Sequence, residues 1–198
     1  ISAFIFFMFQ GTLEELIYRG YMMPNYEKVI GENLAVIVSS IIFTIVHGFN
    51  PNLHLLSIIN IFIFGIVFSI IYIKIGNLWV VGIAHGVWNF LQGYFFGSQI
   101  SGNSVTASIF YSIPQPGKNL ISGGNFGYEG SIITTIIGVI VIILFLKLVK
   151  INKIYLINIL VETSRKHRFH TLRAFSTLIP RVKLILFFLL KAFYKVMI

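Results

Sequence analysis

The sequence predicts an all-α, polytopic transmembrane bundle of about five spans with a basic C-terminal tail. Three observations carry this. The 198 residues are 57% hydrophobic and only 11% charged, with mean hydropathy +0.89, where soluble domains carry about 25% charged residues. Nearly uncharged runs close to the length of a membrane-crossing helix recur along the chain. The basic residues are concentrated outside those runs. Of the net charge of +9, residues 1–150 supply +1, from six basic and five acidic side chains. Residues 151–198 supply +8, from nine and one.

Five apolar stretches follow in order, at about 1–23, 34–48, 54–73, 78–96 and 131–149. A spanning helix needs roughly 20 residues, so the second is short and is expected to be tilted, buried by its neighbours or extended from residue 31. Between the fourth and fifth lies a loop over about 97–130, rich in Gly, Ser, Asn and Pro, a composition that opposes helix. Alternating spans place Lys28, Lys74 and the tail on one side and Lys118 on the other. The excess of Lys and Arg marks the first side as cytoplasmic and the long loop as external. Residues 1–150 thus form a membrane-embedded core. Residues 151–198 form a cytoplasmic tail in which VKLILFFLLKAFYKVMI suits an interfacial amphipathic helix, attracted to anionic lipid, as well as it suits an irregular basic tail. With a membrane core beside it, lipid rather than nucleic acid is the expected partner of this charge. There is no cysteine, so neither a disulfide framework nor a thiolate metal site exists. The chain begins at Ile1, with no basic segment before its first apolar run. A cleavable signal is therefore not recognisable, and the true N-terminus, with earlier spans, is expected to lie upstream.

Charges inside the spans direct attention to function. An ionisable group at mid-bilayer costs several kcal/mol and persists where it has a partner or a role. In GTLEELIYRG, Glu15 and Arg19 stand at i and i+4 in the favoured order and can pair. Glu14 points about 100° away around the helix, so Arg19 serves it less well. One glutamate is neutralised and the other is available as a general base. FTIVH places His47 at the end of the second stretch. HGVWN places His85 and Asn89 on one face of the fourth, where a hydrogen bond between helices is the plain structural role. Counted from the cytoplasmic ends of their stretches, Glu15 and His85 both lie roughly 12 Å deep and can meet. His47 lies roughly 20 Å deep on the same count, so it needs a tilted or displaced helix. Glu129 reads as a helix-start carboxylate, His54 as interfacial, Trp79 as a span-end anchor, Trp88 as a core aromatic, and His167 and His170 as solvated.

A free carboxylate, two histidines and an asparagine on membrane helices suit two chemistries. Glutamate and histidine can activate a water, while histidine and asparagine donate to the oxyanion. Alternatively Glu14, His47 and His85 form a His₂Glu set of the catalytic zinc type. Both lead to amide hydrolysis. HExxH, GxSxG and cysteine are all absent.

The three motifs, EExxxR (Glu14–Arg19), FxxxH (Phe43–His47) and HxxxN (His85–Asn89), each on its own apolar stretch and in this order, resemble the CPBP family of intramembrane proteases. This is the group of CAAX prenyl protease 2, the Rce1-like enzymes, and of bacteriocin-processing or immunity proteins. GGNFGYEGSIITT is similar to the segment that precedes the last helix of bacterial members, and the resemblance covers about residues 1–150. It implies an α-helical membrane fold with its site in a cavity among the helices. It implies Glu14 as the base that activates water, aided by His47. It implies His85 and Asn89 as the oxyanion pair, and Glu15 with Arg19 as neighbours that shape the site. Zinc-dependent and metal-free mechanisms are both expected possibilities. The richness in Ile, Asn and Lys suggests a bacterium with an AT-rich genome, hence a multi-pass protein of the bacterial plasma membrane. Its substrates are then peptides or membrane proteins rather than prenylated ones. A non-catalytic immunity or regulatory protein on the same fold is the alternative, and a proton-coupled transporter a more distant one.

Overall fold

A computed structural model describes residues 1–147. The tail of residues 151–198, with its expected interfacial helix, lies outside the described residues. Those described form helices, turns and loops. The only β-type pairing among them is an isolated bridge between Ile100 and Asn103.

Five long helical segments coincide with the five apolar stretches. The first is α1 (Ser2–Glu15), which passes through a π-helical segment (Leu16–Met22) into α2 (Met23–Ile30). α3 spans Glu32–His47, and α4 spans Leu55–Ile75. α5 (Leu78–Asn89) runs into a second π-helical segment, Phe90–Phe95. A short α6 (Asn119–Ser122) and two 3₁₀ turns precede α7 (Ile132–Lys147). By length and hydropathy, one helix among the described residues suffices to cross a bilayer unaided: α4, with 21 residues and mean hydropathy 2.5. α3 and α7 are apolar but shorter.

The first helical path runs further than its composition suggests, to Ile30. Pro24 brings no N–H and would break a rung of a regular α ladder. The π-helical segment ends at Met22, just ahead of it, and the helix resumes with Pro24 in its first turn, where that donor is dispensable. The path stops at Gly31, whose φ of 79° suits glycine, and α3 starts on the next residue. This tight hairpin resolves the depth of His47. Glu15 and His47 stand equally far along the chain on either side of Gly31, so antiparallel helices bring them level. No unusual tilt is needed; the expected end at residue 23 was too early.

α1 and α5 cross with their backbones nearly touching. A Cβ built on Gly86 would lie 2.5 Å from the Phe7 carbonyl oxygen. One on Gly82 would lie 2.6 Å from Thr12 Oγ1, and one on Gly11 2.5 Å from the Gly86 nitrogen. Gly82 and Gly86 are a small-xxx-small pair, which lets two helix backbones approach closely. α3 and α4 meet similarly, Gly65 against Ser40. We expect Gly86→Val to force α5 away from α1 and lower the thermal unfolding temperature in detergent by more than ~10 °C, given that overpacking costs about 1–3 kcal/mol or more. Ile83→Val, on the exposed side of the same helix, should leave it nearly unchanged.

The 97–130 loop is shaped rather than slack. Glycines at positive φ let its turns approach one another: Gly102 abuts the Pro51 carbonyl, Gly127 that of Gln99. α7 begins at a side-chain cap, Ser131 Oγ accepting from Thr134 N at 3.2 Å. Glu129 therefore does not cap this helix, contrary to its reading as a helix-start carboxylate. Its carboxylate accepts from Trp88 Nε1 (3.1 Å), Ser101 N (2.8 Å) and Ser101 Oγ (2.6 Å), so it ties the loop to α5. His54 caps α4 through Ser57.

Candidate active site

Glu15 is the last residue of α1 and Asn89 the last of α5. Both helices turn π-helical directly after their polar residues, as helices often do beside functional side chains. The glycine crossing sets α5 so that His85 faces Glu15.

Glu15 and Arg19 are fully buried and bonded, Arg19 Nη1 donating to Glu15 Oε1 at 3.0 Å. The rest of the guanidinium is also served. Nη2 donates to the Gly65 carbonyl at 2.7 Å and Nε to Ser69 Oγ at 3.4 Å. Its carbon lies 4.8 Å from the Phe43 ring centre, with Phe68 at 5.6 Å and Tyr18 at 5.8 Å. A planar cation with a donor fork fits this setting of carboxylate, carbonyl and rings; an ammonium would not.

The same Glu15 Oε1 accepts from His85 Nδ1 at 2.8 Å, and His85 stacks on Phe68 with ring centres 4.8 Å apart. With Nδ1–H committed to the carboxylate, a neutral His85 carries its lone pair on Nε2. His47 is fixed in the same way, Nδ1 bonding the Phe43 carbonyl at 2.8 Å. Both Nε2 atoms turn to Glu14: His47 Nε2 is 3.8 Å and His85 Nε2 3.9 Å from Oε2. Oε2 is buried and has no hydrogen-bond partner among the described residues. Separations of this size between polar atoms suit a bridging water. Glu15 takes no place on the cavity wall; it bonds His85, which does.

Asn89, 2% exposed, does not stand alone as a donor. Its Nδ2 donates to Gln10 Oε1 at 2.9 Å, and Gln10 Nε2 donates to Glu14 Oε1. Gln10 was missed in the sequence. Its signal is its place at i−4 from Glu14, on the same helical face.

Glu14, Gln10, His47, His85 and Asn89 line a cavity of about 590 Å³, closed on one side by loop residues Ile100–Thr106 and reaching the exposed Phe6 of α1 and Ile17 of the π-helical segment after it. Ser101, on that wall, holds a left-handed φ of 47°. Its bonds to Glu129 offset a conformation that non-glycine residues avoid. The cavity has the volume of a small-ligand site.

Zinc of the His₂Glu type asks for adjacent donors about 3.3 Å apart, given bonds of about 2.0–2.1 Å in a tetrahedron. The donor types are right, but among the described residues no group of three His, Asp or Glu side chains is arranged to hold a metal ion. The two Oε2–Nε2 edges are half an ångström too long. As placed, the trio does not fit the metal, and no step below is routed through one.

No curated protein and no solved structure matches the chain. A family model, described as type II CAAX prenyl endopeptidase Rce1-like, matches residues 1–91. The matched segment ends just past HGVWN, so it holds all three motifs and leaves the 97–130 loop and α7 outside. Over residues 1–91 the chain is thus similar to the Rce1-like family, a family of membrane endopeptidases.

Proposed function

We propose that the chain is a multi-pass intramembrane endopeptidase that hydrolyses peptide bonds of membrane-associated peptides or proteins. The observation that supports this best is Glu14 Oε2. Among the described residues it is a buried carboxylate oxygen without a partner, facing two histidine nitrogens whose rings are held from behind. A water held there loses a proton to Glu14, with His47 Nε2 accepting from its second O–H. The hydroxide attacks the substrate carbonyl carbon. Asn89 donates its second amide N–H to the oxyanion. His85, carrying a proton on both ring nitrogens throughout the cycle, joins it through Nε2–H, its charge set against the Glu14 and Glu15 carboxylates. Glu14 then returns its proton to the leaving amine, and the C–N bond breaks. In this reading all five long helical segments cross or enter the bilayer, the protein sits in a bacterial plasma membrane, and substrates are leader-bearing or signalling peptides rather than prenylated chains.

The test is reconstitution in liposomes with a panel of leader-bearing, lipidated and unmodified peptides, products being read by mass spectrometry. Wild type should cleave at least one of them and Glu14→Ala none. If neither cleaves, the hydrolytic reading fails. Should Glu14→Gln still sustain a cellular phenotype, a binding or immunity role replaces it. Metal analysis and chelator treatment are part of the same experiment. Activity that survives chelation supports the water bridge described here. Stoichiometric zinc with chelator-sensitive activity would mean that Glu14, His47 and His85 close in around a metal.

A further inference from the structure

We propose that Gln10 is a positioning residue that transmits the acceptor-only character of the Glu14 carboxylate to Asn89, so that Asn89 offers N–H rather than oxygen at the cavity. The proposal rests on the reading of Glu14 as an ionised base. A carboxylate accepts and never donates. Gln10 therefore must turn its NH₂ to Glu14 Oε1, as it does. Its carbonyl oxygen is then left on the far side, where it can only accept, and it meets Asn89 Nδ2 at 2.9 Å. The Asn89 amide is oriented in turn, at the expense of leaving its buried Oδ1 without a partner among the described residues. An isolated asparagine would have no reason to choose this orientation; an anion two residues along the chain of hydrogen bonds supplies one.

Placement makes the relay short enough to work. Gln10 precedes Gly11 and Asn89 lies one helical turn from Gly86, and Gly11 and Gly86 are where α1 and α5 touch. Two consequences follow for the site. An amide NH₂ carries two donors; Gln10 takes one from Asn89 and the other remains for an oxyanion. Gln10 also occupies Glu14 Oε1, so that Oε2 alone faces His47 and His85.

The experiment uses the full chain in liposomes or detergent and the variant Gln10→Met, which keeps the length and removes both hydrogen bonds. Thermal unfolding first establishes that it folds. With a peptide the wild type cleaves, Gln10→Met should lower kcat by about 10–100-fold with KM within about threefold, less than the roughly 10²–10³-fold cost of removing an oxyanion donor outright. The double variant with Asn89→Ala should lose no more than about threefold beyond Asn89→Ala alone, which costs about 10²-fold, because the two residues act as one unit. Independent, multiplying losses or an unchanged kcat in Gln10→Met would overturn the proposal. A second measurement does not depend on cleavage: the ¹⁵N-labelled side-chain amide resonance of Asn89. It should shift in Gln10→Met and also in Glu14→Ala, which Asn89 does not touch directly. An unmoved Asn89 signal in either variant overturns the relay. Absence of cleavage by the wild type would defeat the hydrolytic reading and leave the relay to be decided by the resonances.

Discussion

Glu14→Gln is expected to reduce kcat by about 10³-fold or more while leaving the unfolding temperature within a few degrees of wild type, since a positioned general base contributes 10²–10⁴-fold. The substitution is nearly isosteric and removes the acceptor that takes the water's proton. Stability should change little because, among the described residues, no cation is hydrogen-bonded to Glu14: Gln10 is, while His47 Nε2 and His85 Nε2 lie 3.8 and 3.9 Å away. Glu15→Gln is the informative contrast. Glu15 is fully buried between Arg19 and His85, so its loss should destabilise the protein and lower kcat less than the loss of Glu14. Peptide cleavage and thermal unfolding of the two variants side by side would assign the proton transfer. Equal loss of kcat in both, at equal stability, would contradict the division of roles.

Arg19→Met should produce the largest change in stability, about 3–5 kcal/mol, because removing one member of a buried pair strands the other charge. The stranded group is Glu15, which no solvent reaches. Glu15 would keep its bond from His85, but the Gly65 carbonyl and Ser69 would lose their donor and the Tyr18, Phe43 and Phe68 rings their cation. Arg19→Lys should recover only part of the loss, since one ammonium cannot reach Glu15, Gly65 and Ser69 in the same fork geometry. Adding Glu15→Gln to Arg19→Met should recover most of it by removing the charge altogether. Denaturant unfolding in mild detergent measures all three. A double variant no more stable than Arg19→Met would contradict the account.

The site was legible in the sequence where its logic is local. Glu15 and Arg19, and His85 and Asn89, are one turn apart, so helical periodicity alone places each pair on a face. Glu14 stood out because it had the wrong phase for Arg19. The long-range geometry was legible only in part. The position of His47 hinged on where the first helix ends, and Pro24 suggests an early end that the π-helical segment averts. Gln10 carries no charge, so no hydropathy argument singles it out, and its role depends on an α1–α5 crossing set by glycines on two helices. Glu129 lies next to a helix start in sequence, yet its donors come from Ser101 and Trp88, 28 and 41 residues away. No spacing rule reaches that far.

The claim that Glu14 activates water, rather than attacking the substrate itself, can be tested by a single turnover in H₂¹⁸O with enzyme in excess over a cleavable peptide. Products and the enzyme peptide that contains Glu14 are then weighed by mass spectrometry. The account predicts one ¹⁸O in the new C-terminal carboxyl of the product and none in Glu14. Label in the Glu14 carboxyl would reveal an acyl-enzyme and contradict it, as would the absence of any cleavage.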